Sequence, residues 1–386
     1  MVVDAERLER NLSRMAASAA AAGVALRPHA KTHKCVEIAR MQLAHGAAGL
    51  TVATLAEAEA FAAAGCPSVF IAYPLWSKSG DRPERIKALR SVTDLRIGVD
   101  SAAAAEALAA AAPGTRVLIE VDSGQHRSGA LPSEVRALAE TCRKLGLDVI
   151  GAFTHPGHAY GSAATVRDAE TADDEAAALA AGVAAAVADE QSALAAASQA
   201  LSGVLEAAPE LSGGSSPTAF AELAPERARS AASGLAPEDG GATAPAPGSI
   251  SALTEVRPGT YVFGDRQQMQ LSGLDVDDIA LVVAARVVSV PRSGEAVLDA
   301  GSKALTSDRA GWLTGHGLIL EAPEATIESL SEEHAVVRGL TESRLSVGDL
   351  VRVVPNHVCP VTNLTSSLLV VRDGKVADRW PVVARR

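Results

Sequence analysis

Five short stretches of this sequence carry side chains whose types and spacing suit chemistry. The first is Arg27-Pro28-His29-Ala30-Lys31-Thr32-His33-Lys34, two histidines and two lysines directly after an apolar run. A lysine desolvated on one side holds its proton less tightly and becomes an amine nucleophile able to form a Schiff base; the bland alternative is a basic loop with Lys31 and Lys34 in solvent. The second is Pro355-Asn356-His357-Val358-Cys359-Pro360. On an extended segment His357 and Cys359 point to the same side, and imidazole with thiolate suits Zn²⁺. Two protein ligands leave positions for water, a third residue or substrate, as a catalytic metal requires; otherwise the pair is a structural histidine beside an inert cysteine.

The third stretch, Leu211-Ser212-Gly213-Gly214-Ser215-Ser216-Pro217-Thr218, offers bare backbone N–H groups and hydroxyls. That is a phosphate cradle, or else the opening of a flexible segment. The fourth, Thr154-His155-Pro156-Gly157-His158-Ala159-Tyr160, adds two histidines and a tyrosine, and the fifth, Asp122 to Gly129, a glycine-bracketed Arg127. His29, His33, His155 and His158 all have a structural alternative, as hydrogen-bonded core residues.

The elements that position these groups follow from the apolar pattern. Short runs end in polar or Gly/Pro punctuation at Val24–His29, Gly49–Thr54, Val69–Pro74, Leu95–Asp100, Val117–Asp122 and Val149–His155. Ala-, Glu- and Leu-rich segments such as Leu55–Ala64 and Ser101–Ala112 separate them, and these are good helix formers. Strands about 20 to 30 residues apart, each followed by a helix, imply parallel βα units. Continuous apolar strands fit a sheet buried on both faces. A doubly wound sheet and a (β/α)8 TIM-type barrel both satisfy the pattern. Polar residues after nearly every strand favour the α/β barrel, which gathers strand ends into one site. From about Ala219 to Ser249 the composition turns to Ala, Ser, Gly, Pro and Glu, too poor in apolar surface to offset chain entropy, so a loosely held insert is expected there. From Ile279 onward, closely spaced strands with turn signals predict an antiparallel β-domain of about 120 residues. The chain thus divides into a barrel over 1–265 and a β-domain over 266–386.

Composition bounds the function. The 386 residues carry 35 basic and 46 acidic side chains, a net charge of −11, and are 48% hydrophobic. That balance argues against nucleic acid or an anionic membrane as partner, and no apolar run is long enough to span a bilayer. The N-terminal residues lack a signal peptide's charged start and apolar run. Four scattered cysteines make no disulfide framework, which predicts a cytoplasmic protein.

Seven ordered motifs, PHAKTHK, EVDSGQHRSG, THPGHAY, GGSSPT, RPGTYVFGD, DAGSKALTSD and PNHVCPVTNL, resemble those of the D-serine dehydratase/D-threonine aldolase family. This is the metal-activated branch of the fold-type III pyridoxal phosphate enzymes, related to alanine racemase. The resemblance runs to about Leu364 and fails only across the low-complexity insert. It implies an alanine racemase-like barrel and a C-terminal β-domain carrying a metal site. Lys31 would hold pyridoxal 5′-phosphate, Gly214, Ser215 and Thr218 its phosphate, and Arg127 and Tyr160 would contact the cofactor or its reacting face. His357 and Cys359 would bind Zn²⁺, or Mn²⁺ or another divalent ion. Members with His-x-Cys resemble D-serine dehydratase and 3-hydroxyaspartate dehydratases, whereas aldolase members typically carry His-x-Asp. The resemblance therefore implies a lyase that converts a D-β-hydroxy amino acid, D-serine first among them, to a 2-oxo acid and ammonia. D-threonine aldolase and D-threo-3-hydroxyaspartate dehydratase are its alternatives. A homodimer is implied as well; the sequence departs from the family in one respect, since members usually have a further segment, contributing to the packing of the β-domain, before the strand that here begins at Val2-Val3-Asp4. Barrel-only, non-catalytic cofactor carriers lack both the β-domain and the His-x-Cys pair.

Overall fold

The computed structural model describes residues 1–161, 172–224, 252–342 and 344–385. Seventeen strands, β1 to β17 in chain order, lie in two sheets among the described residues.

The first sheet is the barrel. Its strands are β2 (Ala25–Leu26), β3 (Leu50–Val52), β4 (Ser68–Ile71), β5 (Asp94–Val99), β6 (Arg116–Glu120), β7 (Asp148–Phe153), β8 (Glu210–Gly213) and β9 (Glu255–Val256). All pair in parallel, in the order β2-β9-β8-β7-β6-β5-β4-β3. The ring closes where His29 bridges Thr51 and the Thr51 N–H donates to the Pro28 carbonyl at 2.8 Å. The barrel expectation is met. Every residue of β3 and β4 is buried, as strands covered on both faces must be.

Helices between the strands follow local rules. The helix Ala5–Ala22 starts where the Asp4 side chain accepts from the Arg7 N–H at 2.9 Å, and it stops at Gly23 with φ +71°. Leu8, Leu12, Met15 and Ala19 give it one buried stripe at helical spacing. Leu55–Ala63 and Ala102–Ala111 are helices as the composition predicts. The expected insert differs at its start: Ser216–Leu223 is a helix, with Ala219, Phe220 and Leu223 in the core. Residues 225–251 lie outside the described residues.

The second sheet has nine strands: β1 (Val2–Asp4), β10 (Leu281–Ser289), β11 (Glu295–Leu298), β12 (Leu318–Ile319), β13 (Thr326–Leu330), β14 (Ala335–Arg338), β15 (Leu350–Val354), β16 (Ser367–Arg372) and β17 (Lys375–Pro381). The runs either side of Ala284, read in the sequence as two strands, form the single long β10. The sheet is mixed, because β1 pairs antiparallel with β10 but parallel with β16. The first strand of the chain, grouped by sequence with the barrel, therefore sits inside the sheet of the β-domain. Val283, Ala285, Val287, Leu298, Ile327, Val337, Val351 and Val353 form that domain's own core. After β15 the helix Val358–Leu364 turns toward the barrel, where the Lys34 ammonium donates to Asn363 Oδ1 at 2.7 Å.

Candidate active site

At the carboxyl ends of the barrel strands, facing that helix, lies a cavity of about 360 Å³. Lys31 reaches it from a short 3₁₀ turn, Ala30–Thr32, that begins after β2; the His29 imidazole caps the turn by accepting from the Lys31 N–H at 3.5 Å. Burial lowers the lysine's affinity for a proton, the nearby Cys359 opposes this, and Arg127 adds to the lowering. Lys34 is neither solvated nor free, since it is buried and pairs with Glu57 at 3.3 Å. His33 is a core residue. It is fully buried, its Nδ1 accepts from the Cys35 N–H at 3.1 Å, and burial pushes it down to about 4. His158 pairs with Asp189 at 3.3 Å. His29 and His155 do line the cavity, and burial foremost, then the charge of Lys31, keeps both neutral.

The expected phosphate cradle divides in two. Ser215 and Ser216 line the cavity at the start of the helix Ser216–Leu223. Ser216 Oγ accepts from the N–H groups of Gly259 and Thr260, at 3.1 and 3.0 Å, which ties a second cavity-lining loop to the first. Gly214 and Thr218 are not among the lining residues. The Gly214 N–H donates to Glu190 Oε1 at 2.6 Å, and the Thr218 hydroxyl donates nothing to the cavity because it belongs to the capping box with Ser215. These two hold the turn from behind.

Arg127 lines the cavity at its exposed rim, and Tyr160 forms part of its wall. The Tyr160 hydroxyl accepts from Gln268 Nε2 at 3.4 Å, and burial, with Asp265 and Cys359 nearby, pushes the phenol up so that it keeps its proton. Arg257 is the cation that sequence reasoning left without a role. It donates to Ser212 Oγ at 2.9 Å and to the Thr154 carbonyl, and its guanidinium lies 5.7 and 5.2 Å from the ring centroids of Phe70 and Phe153. Ser212 in turn donates to Glu255, which also accepts from the buried Arg27 at 2.6 Å. A polar chain thus fixes Arg257 where it faces the cavity.

His357 and Cys359 line the same cavity. They do not lie on one extended segment. His357 is the extended N-cap of the helix Val358–Leu364, and Cys359 stands in its first turn. Asp265 fixes that turn by accepting from the Val358 N–H at 3.0 Å. His357 Nδ1 lies 2.7 Å from Asp308 Oδ2, and Cys359 Sγ lies 3.2 Å from Thr32 Oγ1. Burial opposes charge on both, yet each sustains the other: the thiolate, with Asp308, carries His357 up to about 11, and His357, with Lys31, lowers the thiol. An imidazolium–thiolate pair is a donor set for a divalent ion once the imidazole gives up its proton. Among the described residues no three His, Cys, Asp or Glu side chains form a ready-made metal cluster, so the pair fits an ion whose remaining positions are taken by water or substrate.

Six of the eight residues singled out in the sequence, Lys31, Arg127, Tyr160, Ser215, His357 and Cys359, line one cavity. Arg257, Gly259, Thr260 and Asp308 line it too, and all four lie inside the RPGTYVFGD and DAGSKALTSD motifs, which were the signal available for them.

Comparison with known proteins fits this geometry. Residues 3–236 match the alanine racemase N-terminal domain family and residues 280–371 the serine dehydratase domain family. The chain is 33% identical to a D-threo-3-hydroxyaspartate dehydratase of Delftia sp. (strain HT23), over 93% of this chain and 90% of that protein. It is 32% identical to a D-threonine aldolase of Arthrobacter sp., over 100% and 92%. Among solved structures, the Delftia dehydratase superposes with a TM-score of 0.79 at 30% identity, covering 99% of this chain and 96% of that one. The D-threonine aldolase of Filomicrobium marinum gives 0.77 at 28%, covering 100% and 94%.

Proposed function

We propose a reaction from one premise: the chain belongs to the alanine racemase-like, fold-type III family of pyridoxal phosphate enzymes that carry a serine dehydratase domain. It is a pyridoxal phosphate-dependent lyase of D-β-hydroxy amino acids. The proposed reaction is dehydration, with D-serine going to pyruvate and ammonia, assisted by Zn²⁺ or another divalent ion. The observation that carries it is that Lys31 and the His357–Cys359 pair line one cavity.

The residues present suit both groups. Lys31 would hold the cofactor's aldehyde carbon, and Ser215, Ser216 and the N–H groups at the start of their helix would hold its phosphate; His357 and Cys359 would hold the metal. When bound, pyridoxal phosphate would supply an electron sink for Cα and a divalent ion a Lewis acid for the β-hydroxyl. Lys31 would take the Cα proton at Nζ, and burial, which lowers its hold on a proton, suits it to act as a base. Tyr160 keeps its proton and can donate it inside the cavity. Arg127, at the rim, is placed to attract a substrate carboxylate. Trp312, largely buried beside Tyr160, helps exclude water.

Cys359, in place of an aspartate, supports elimination over carbon–carbon cleavage. Product analysis tests this. Purified enzyme with pyridoxal phosphate and Zn²⁺ is given D-serine, D-threonine and D-threo-3-hydroxyaspartate in turn. A 2-oxo acid and ammonia are expected, and glycine with an aldehyde as the main products would overturn the dehydratase reading in favour of an aldolase. The same proposal takes the working enzyme as a cytoplasmic homodimer, and a fully active monomer in sedimentation would remove the dimer from it.

A further inference from the structure

Behind the cradle lies a buried pair of acids that the reaction does not use. Glu190, on the helix Ala172–Leu201, is fully buried, and Glu222, on the helix Ser216–Leu223, is nearly so. Glu190 Oε1 accepts from the Gly214 N–H at 2.6 Å with the Thr218 hydroxyl beside it; Glu222 Oε1 accepts from Gln191 Nε2 at 3.0 Å. The second oxygen of each carboxyl has no hydrogen-bond partner among the described residues. Two ionised carboxylates in such a place would each carry an orphan oxygen and repel one another. One proton held by the pair removes a buried charge and the repulsion with it.

The double glycine of the cradle is shaped to this acid. A Cβ on Gly213 would stand 2.3 Å from Glu190 Oε1 and 2.7 Å from Leu253 Cδ2, and Gly214 holds φ +80° so that its N–H turns back to the carboxyl. Ser215 and Ser216, next in the chain, are thereby aimed into the cavity.

We infer that Glu190 is a positioning residue of the anion cradle, holding the Gly213–Ser216 turn through the Gly214 N–H while sharing one proton with Glu222. The inference rests on the reading that this cradle takes the cofactor's phosphate. Burial foremost and then the charge of Glu222 favour the protonated form of Glu190, while the Gly214 N–H, the Thr218 hydroxyl and the Arg257 guanidinium favour its ionisation; burial likewise raises Glu222 against its hydrogen bond from Gln191. Loss of the shared proton would place a full negative charge directly behind a site for a phosphate dianion. Phosphate affinity then falls as pH rises through the titration of the pair, by on the order of tenfold for each unit by which bound phosphate shifts that titration.

The test uses the full chain and the isosteric Glu190→Gln variant. In cofactor-free wild type, infrared spectroscopy near neutral pH is expected to show the carbonyl stretch of a protonated carboxylic acid, and the variant to lack it. Pyridoxamine 5′-phosphate, which forms no Schiff base with Lys31, then serves as ligand, with quenching of tryptophan fluorescence as readout. Wild-type affinity is expected to weaken about tenfold toward alkaline pH, and the variant to keep the tight limit throughout, the rescue expected when a neutral acceptor replaces a neutral acid. Three results would overturn the inference: no acid band in wild type, the same alkaline loss in both proteins, or a variant that melts like wild type yet binds weakly at every pH. If wild type binds neither pyridoxamine 5′-phosphate nor pyridoxal 5′-phosphate at any pH, the functional reading fails, and the infrared band alone decides the shared proton.

Discussion

Replacing Asp308 by asparagine should weaken metal binding without removing a metal ligand. In the structure Asp308 Oδ2 lies 2.7 Å from His357 Nδ1, and no other side-chain hydrogen bond to that nitrogen competes among the described residues. The carboxylate therefore fixes which ring nitrogen carries the proton and turns Nε2 toward the cavity. Asparagine keeps the shape and an acceptor oxygen but loses the charge that makes the imidazole a stronger donor. Losses of this kind typically cost about 10- to 100-fold in metal affinity, or about 1.4 to 2.8 kcal/mol. The assay is competition for Zn²⁺ between metal-free protein and a chelating dye, run on wild type, Asp308→Asn, His357→Ala and the double variant. Asp308→Asn is expected to cost its full penalty beside an intact His357 and almost nothing beside His357→Ala, because the coupling passes through the imidazole. An unchanged affinity in the single variant, or the same loss in both backgrounds, would refute the reasoning.

Four further outcomes are expected. Lys31→Ala should abolish the visible absorbance of lysine-bound cofactor together with turnover, and a wild-type spectrum from that variant would remove Lys31 from its role. Cys359→Asp should raise aldolase over dehydratase products when D-threonine is compared with D-serine; an unchanged product ratio would show that this ligand does not set the reaction. Gly213→Ala should lower stability by about 1 to 3 kcal/mol in urea unfolding, because its methyl group overlaps Glu190 and Leu253, and a midpoint equal to wild type would contradict the packing described. His33, fully buried and held near 4 against an ordinary value of 6.5, binds its proton more readily in the unfolded chain. Its burial therefore costs nothing above about pH 6.5, and stability falls by up to about 3 kcal/mol as pH drops from there to about 4. His33→Asn should flatten that slope, and an equally steep acid loss in the variant would point to other groups.

The barrel was legible because a strand buried on both faces must be written in continuous apolar residues, as Val69-Phe70-Ile71 and Val117-Leu118-Ile119 are. Lys31 and the His357–Cys359 pair were legible because few residues have their reactivity. The cradle was misread in part. Gly213-Gly214 looks the same in sequence whether its bare backbone faces a ligand or a buried carboxyl, and only the helix carrying Glu190, over twenty residues upstream, decides between them. Arg257 was passed over for a related reason: its partners Ser212, Thr154 and the Phe70 and Phe153 rings come from three different strands or their ends, β8, β7 and β4, and only the barrel brings them together. β9, with two residues, is too short to show any period, and β1 could not reveal that its partners lie almost at the other end of the chain.

The position of β1 also has a consequence for how the molecule is made on the ribosome. Val2–Asp4 leaves the exit tunnel long before the two strands that flank it, Leu281–Ser289 and Ser367–Arg372. At about 5 to 20 residues per second, roughly 15 to 55 seconds separate the first strand from the earlier of its two partners. Throughout that interval three residues, tethered to an already amphipathic helix, wait with their backbone groups open to solvent or to a chaperone. The barrel can close before the β-domain exists, whereas the β-domain sheet cannot be completed without β1, which precedes every barrel strand in the chain. Emergence of β10 and then of β16 thus seats β1, and nascent chains that expose β9 but not β10 should hold a closed barrel and an unpaired β1.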